Sequence, residues 1–133
     1  MQVGDGMSRE VLSIGPHHTL RQACVQMSLR RVGAAVVHDP DGDGIGILTE
    51  RDVLDAIGAG QDPDAERVGD HLTSDLVFAT PSWTLEQAAE AMVRGGFRHL
   101  VVLDHGEPAG ILSVRDIVRC WSRDGSTEDE LAG

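Results

Sequence analysis

The feature that most constrains this chain is an internal repeat. Pro16-His17-His18-Thr19-Leu20-Arg21-Gln22-Ala23 returns as Pro81-Ser82-Trp83-Thr84-Leu85-Glu86-Gln87-Ala88, at an offset of 65 residues. The offset persists: Met27 falls on Met92, Val36-Val37 on Val101-Val102 and Asp39 on Asp104. After a loop one residue shorter in the second copy, Gly46-Ile47-Leu48-Thr49-Glu50-Arg51-Asp52 returns as Gly110-Ile111-Leu112-Ser113-Val114-Arg115-Asp116. Two copies of about sixty residues nearly fill a chain of 133. A unit of that size buries only about 60% of its unfolded surface and is marginal alone, so the copies are expected to share one core.

Each copy reads as strand, helix, strand, strand, helix. The first strand, Val11 to Ile14 or Leu76 to Ala79, runs into a proline that stops it. Thr19 with Gln22, and Thr84 with Gln87, form the capping box of a helix whose apolar face is Leu20, Ala23, Cys24 and Met27, or Leu85, Ala88, Ala89 and Met92. Gly33 and the pair Gly95-Gly96 are expected to end these helices. Strands follow over Ala34–His38 and Ile45–Leu48, and over His99–Leu103 and Pro108–Leu112. A final helix opens at Thr49 or Ser113, with Val53, Leu54 and Ile57, or Ile117 and Val118, expected on its buried face. The organisation is therefore a first repeat over residues 3–58, a linker over 59–67, a second repeat over 68–122, and an acidic tail over 123–133 expected to be disordered.

Composition narrows the function. Aspartate and glutamate outnumber lysine and arginine 22 to 11, a net charge of −11 that disfavours nucleic acid and anionic lipid as partners. Two cysteines, Cys24 and Cys120, are too few for a disulfide scaffold. With no long apolar run and no basic, apolar leader, the reading is a soluble, unprocessed, cytoplasmic protein. His17-His18 lacks a carboxylate or cysteine at ligand spacing and reads as a surface turn. Asp39, Asp41 and Asp43 alternate as in a calcium loop, but the glutamate that would complete it, Glu50, should be carried off by the intervening strand. Neither is taken as a metal site. No nucleophile and base stand together, which argues against an enzyme.

The chemistry sits in Gly46-x-x-Thr49-x-x-Asp52 and Gly110-x-x-Ser113-x-x-Asp116, each at a strand-to-helix junction. One reading is an ordinary helix cap, the hydroxyl accepting a backbone N–H and the carboxylate near the positive helix end. The other is a ligand site: a helix N-terminus favours an anion, a hydroxyl there meets a phosphate oxygen, and a carboxylate one turn on accepts both hydroxyls of a ribose. The preceding glycine would leave room for that ligand. The duplication of the whole pattern favours the second reading.

The ordered set of Pro16 or Pro81, the Thr-Leu-x-Gln-Ala helix start with its later Met, the Val-Val strand ending in Asp39 or Asp104, and Gly-Ile-Leu-Thr/Ser-x-Arg-Asp resembles a tandem pair of cystathionine-β-synthase (CBS) domains. The resemblance implies an α+β fold of two β-α-β-β-α repeats packed sheet to sheet about a pseudo-twofold axis, often assembled as a homodimer. It implies a non-catalytic regulatory module that binds AMP, ADP, ATP or S-adenosylmethionine as a regulatory ligand, without a catalytic cofactor, and acts on a separate effector protein. A purely structural dimerisation module with empty clefts is the alternative. Carried over by position, Asp52 and Asp116 would hold ribose hydroxyls, Thr49 and Ser113 would contact phosphate, and backbone near Ser13-Ile14 and Phe78-Ala79 would flank adenine. Arg98 and His99 stand where basic side chains often meet phosphate, with Arg51 and Arg115 as further candidates. The first copy has Gly33 and Ala34 in place of Arg98 and His99, so the two sites are expected to differ.

Overall fold

The structure is a computed structural model that describes residues 1–39, 44–74 and 76–132, with the side chains of residue 39 and of 124–132 outside the description. The alternating aspartates of the calcium-like loop fall largely outside the described residues. Secondary structure follows the order α1 (Val3–Gly6), β1 (Ser13–Ile14), α2 (Leu20–Arg30), β2 (Ala34–Asp39), β3 (Gly44–Thr49), α3 (Glu50–Gly58), a 3₁₀ turn (Val68–Asp70), β4 (Phe78–Ala79), α4 (Leu85–Gly95), β5 (His99–Asp104), β6 (Glu107–Ser113) and α5 (Val114–Ala132). Strands form two three-stranded sheets, β1-β2-β3 and β4-β5-β6. In each, the short first strand pairs in parallel with the second, and the second and third form an antiparallel hairpin. The fold class is α+β, as the sequence reading has it.

The chain divides into two compact units, and the division does not follow the order of the repeats. Met1–Glu10 joins Val77–Gly133, while the other unit is Val11–Leu76. Each repeat is therefore completed by a lead-in segment that precedes its twin. In the unit of Val11–Leu76, the Val68 N–H donates to the His18 carbonyl at 2.8 Å, the Gly69 N–H to Pro16 at 2.9 Å, and Thr73 and Ile47 exchange two bonds of 2.9 Å. In the other unit, the Val3 N–H donates to Trp83 at 2.7 Å, the Gly4 N–H to Pro81 at 2.9 Å, and Ser8 and Ile111 exchange bonds of 2.9 and 3.0 Å. Bond for bond the two clasps match, because Val3-Gly4-Asp5 and Val68-Gly69-Asp70 are themselves a repeat.

Each unit has its own cluster of buried side chains. One gathers Leu12, Ile14, Leu20, Leu48 and Val68, and the other gathers Val3, Leu85, Leu100, Leu112 and Cys120. Val3 and Val68 are fully buried, each supplied by a lead-in segment. This is how units near sixty residues overcome their unfavourable surface: each acquires extra apolar side chains from outside its own repeat.

Several local expectations change. The capping boxes at Thr19 and Thr84 form as read, but α2 ends at Arg31, in the left-handed region at φ 55°, two residues before Gly33. The equivalent position of α4 is Gly96, at φ 71°. Leu54 and Val118, expected in the core, are 59% and 56% exposed, and Ile57 is exposed as well. Their apolar spacing marks a face of α3 and of α5 that the core does not use; Ile117 is buried as expected and Val53 packs against the core, while Ala56 on α3 and Cys120 on α5 are buried beside them. From Arg123, where a disordered tail is expected, α5 continues to Ala132. The expected linker is pinned to α2: Glu66 and Pro63 accept from the Leu20 and Arg21 N–H groups, and the Arg21 guanidinium pairs with Asp64.

Candidate functional site

Both strand-to-helix junctions begin with an extended residue whose side chain caps the helix. In the first copy, the Thr49 hydroxyl accepts the Asp52 N–H at 3.2 Å, and Asp52 Oδ2 accepts the Thr49 N–H at 2.8 Å. The Thr49 hydroxyl in turn donates to Asp52 Oδ2 at 3.0 Å. In the second copy, Ser113 Oγ accepts the Asp116 N–H at 3.1 Å and Asp116 Oδ2 accepts the Ser113 N–H at 2.8 Å. The capping geometry is thus present in full at both junctions, and it satisfies two orphan amides at each helix start.

Capping uses one carboxylate oxygen, and the two copies treat the other differently. Asp116 Oδ1 lies 3.2 Å from Arg119 Nη1, one turn along α5, and Asp116 is only 8% exposed. Position 55, the counterpart of Arg119, is an aspartate. Among the described residues, Asp52 Oδ1 has no internal partner, and Asp52 is half-buried rather than buried.

Asp52 also lines a cavity of about 290 Å³ within its own unit, wide open to solvent, together with Asp55, Gln61, Asp70, His71 and Leu72. The His71 ring is turned to Glu66, with Nε2 and Oε1 at 2.8 Å. Asp70, His71 and Leu72 come from the lead-in segment, so the clasp that completes the core also walls the cavity. In the other unit, Asp5 and Gly6 stand at the positions of Asp70 and His71, and Cys120 replaces Ala56. There a Cβ on Gly6 would lie 2.6 Å from the Cys120 sulfur.

The motif glycines do something other than leave room for a ligand. A Cβ on Gly46 would stand 2.7 Å from Leu72 Cδ1 and 3.1 Å from the Thr73 carbonyl, and one on Gly110 would stand 2.6 Å from the Ser8 carbonyl. The space is filled by the lead-in backbone, which can exchange its bonds with Ile47 or Ile111 only at that distance.

Other candidate residues fall as follows. Hairpin register sets His99 opposite Ser113 and Ala34 opposite Thr49, so Arg98 and His99 lie beside the junction of Asp116 in one unit. The Arg98 carbonyl accepts the Val114 N–H at 2.9 Å, at the first residue of α5. Arg98, Arg51 and Arg115 are all exposed. Ser13 and Phe78 begin outer strands, across the width of the sheet from Thr49 and Ser113, while the Ile14 and Ala79 side chains are buried in the two cores. His18 Nδ1 lies 3.1 Å from the Gly15 N–H it accepts, inside a surface turn. Burial pushes the Cys24 thiol up from its ordinary range. Sequence reasoning passed over Asp55, Asp70 and the lead-in segments; the recurrence of Val-Gly-Asp at residues 3 and 68 marks a duplicated segment but not what it pairs with.

Among the described residues, no helix is long and apolar enough to cross a membrane. A family model described as CBS domain matches residues 2–59 and again 68–123. The chain is 30% identical over 118 residues to the uncharacterized protein MJ1225 of Methanocaldococcus jannaschii, covering 89% of this chain and 42% of that protein, so it spans less than half of that relative. The CBS-domain protein ATU1752 of Agrobacterium tumefaciens superposes with a TM-score of 0.81 at 33% identity, over 90% of this chain and 98% of that one. The CBS domain protein PAE2072 of Pyrobaculum aerophilum, solved in complex with AMP, superposes with a TM-score of 0.78 at 28% identity, over 87% and 89%. With the family model matched twice and the duplicated sheet, clasp and cap geometry in place, the chain belongs to the CBS-domain family, as a tandem pair.

Proposed function

We propose that this chain is a non-catalytic module that binds an adenosine-containing ligand and passes the bound state to an effector protein. The observation that carries the reading is Asp52, a carboxylate held by its own helix cap through one oxygen while lining a cavity of about 290 Å³. A carboxylate so placed can accept ribose hydroxyls with Oδ1 without uncapping α3, and charge-assisted bonds of this kind are about twice as strong as neutral ones. The AMP complex of PAE2072, at 28% identity, supports the ligand class. In the reading, Asp116 is the second ribose carboxylate, Thr49 and Ser113 meet phosphate, and Arg98, His99, Arg51 and Arg115 supply positive charge. Backbone near Ser13-Ile14 and Phe78-Ala79 flanks adenine.

The ligand regulates by favouring one arrangement of the two repeats over another, which requires unequal affinity for the two states. The module acts as a homodimer. Leu54 and Ile57 on α3, and their counterparts Val118 and Trp121 on α5, are apolar and exposed, and a second copy covers them.

A thermal-shift panel of AMP, ADP, ATP, S-adenosylmethionine and GMP tests the reading. A ligand at 100 times its dissociation constant adds about 2.7 kcal/mol of stability. At least one adenosine compound is expected to raise the melting temperature more than GMP does; equal response to all five, or to none, contradicts the reading.

A further inference from the structure

We infer that Asp55 biases the Asp52 site toward adenosine derivatives neutral or cationic at the 5′ side, so that a phosphate at Thr49 binds more weakly there than at Ser113 in the unit carrying Asp116. The inference rests on the proposed adenosine site and adds the charge it tolerates. Its basis is a residue-by-residue comparison of the two copies. Asp52 answers to Asp116, Asp70 to Asp5, and Arg51 to Arg115, so carboxylate, lead-in aspartate and first-turn arginine are common to both. Asp55 against Arg119 is a reversal of sign at one position, a change of two unit charges in the second turn of equivalent helices.

The structure gives that reversal a place to act. Asp52, Asp55 and Asp70 line one cavity, and the imidazole that shares it, His71, is turned to Glu66. A phosphate entering there would meet three carboxylates, and Arg51 beside them is exposed and does not line the cavity. In the other copy, Arg119 neutralises Asp116 through Oδ1 at 3.2 Å, and Arg98 and His99 stand by register at the same junction. Ala34 and Gly33 hold those places beside Asp52. Asp52 is half-buried while Asp55, Asp70 and Arg119 are exposed, so solvent screens the reversal without removing it, and it biases the choice between ligands rather than fixing it. Adenosine, or a ligand such as S-adenosylmethionine whose sulfonium adds positive charge, avoids the repulsion.

Calorimetric titration of adenosine, AMP and S-adenosylmethionine into wild type and Asp55→Arg tests this, with Asp52→Asn identifying the heat that belongs to the site. Asp55 is exposed and arginine is a strong helix former, so the variant is expected to fold. Expected is a rise in AMP affinity of about threefold, a fall for S-adenosylmethionine, and little change for adenosine. If the three ligands bind in an Asp52-dependent way but Asp55→Arg moves AMP and adenosine equally, the selectivity inference is overturned and the adenosine site stands. If no adenosine compound shows Asp52-dependent heat, the site itself is overturned and the inference with it.

Discussion

Gly110 and Ser8 are in backbone contact: a Cβ added at 110 would stand 2.6 Å from the Ser8 carbonyl oxygen, and two hydrogen bonds between Ser8 and Ile111 fix that approach. The motif glycine therefore serves the clasp. Gly110→Ala is expected to destabilise the protein by about 1 to 3 kcal/mol in urea denaturation, as overpacking does. Gly58→Ala, at the end of α3 where nothing lies within 4 Å, is the control and is expected to be neutral or stabilising.

Val3 is fully buried in the core of a unit whose sheet begins more than seventy residues later. Val3→Ala should cost about 2 kcal/mol. Hydrogen exchange is expected to quicken first in β5 and β6 and not in β2 and β3; the reverse pattern, or uniform loss, would show that the lead-in segment does not belong to that unit.

Arg31 holds the left-handed position that Gly96 holds in the second copy, at φ 55° and 71°. An L side chain there is strained by about 1 kcal/mol or more. Arg31→Gly is expected to raise the melting temperature, and Gly96→Arg to lower it.

The Arg21 guanidinium, hydrogen-bonded to Asp64, holds that carboxyl below its ordinary range, and Asp64 in turn raises Arg21. A depressed carboxyl stabilises the fold above its unfolded pKa, near 3.9, and loses that effect as pH falls through the lower folded value. Both groups are exposed, so the effect is small. Wild type is expected to melt slightly above Arg21→Ala at pH 7, the gap closing below about pH 4; a gap that widens in acid contradicts the assignment.

Much of this was legible because it is local. Thr19 with Gln22 and Thr84 with Gln87 cap helices through bonds three residues apart, and the hairpins follow from runs such as His99–Asp104 facing Glu107–Ser113. The clasp was not, since Val68 meets His18 across fifty residues and the Val-Gly-Asp repeat is too short to signal pairing. Leu54 and Val118 were misplaced because helical spacing shows an apolar face without showing what covers it. At the site, Asp52 and Asp116 read alike; their difference lies in Asp55 and Arg119, which matter only once one turn of helix brings Arg119 to Asp116.

The most direct test of the account is calorimetric titration of adenosine into wild type and into the double variant Asp52→Asn, Asp116→Asn. Asparagine retains an oxygen to accept the Thr49 and Ser113 N–H groups, so the helix caps survive while the charge that would bind ribose is removed. Loss of the charge-assisted hydroxyl bonds is expected to weaken adenosine by about 2 kcal/mol. Unchanged affinity in a double variant that melts like wild type would contradict ribose binding by these carboxylates.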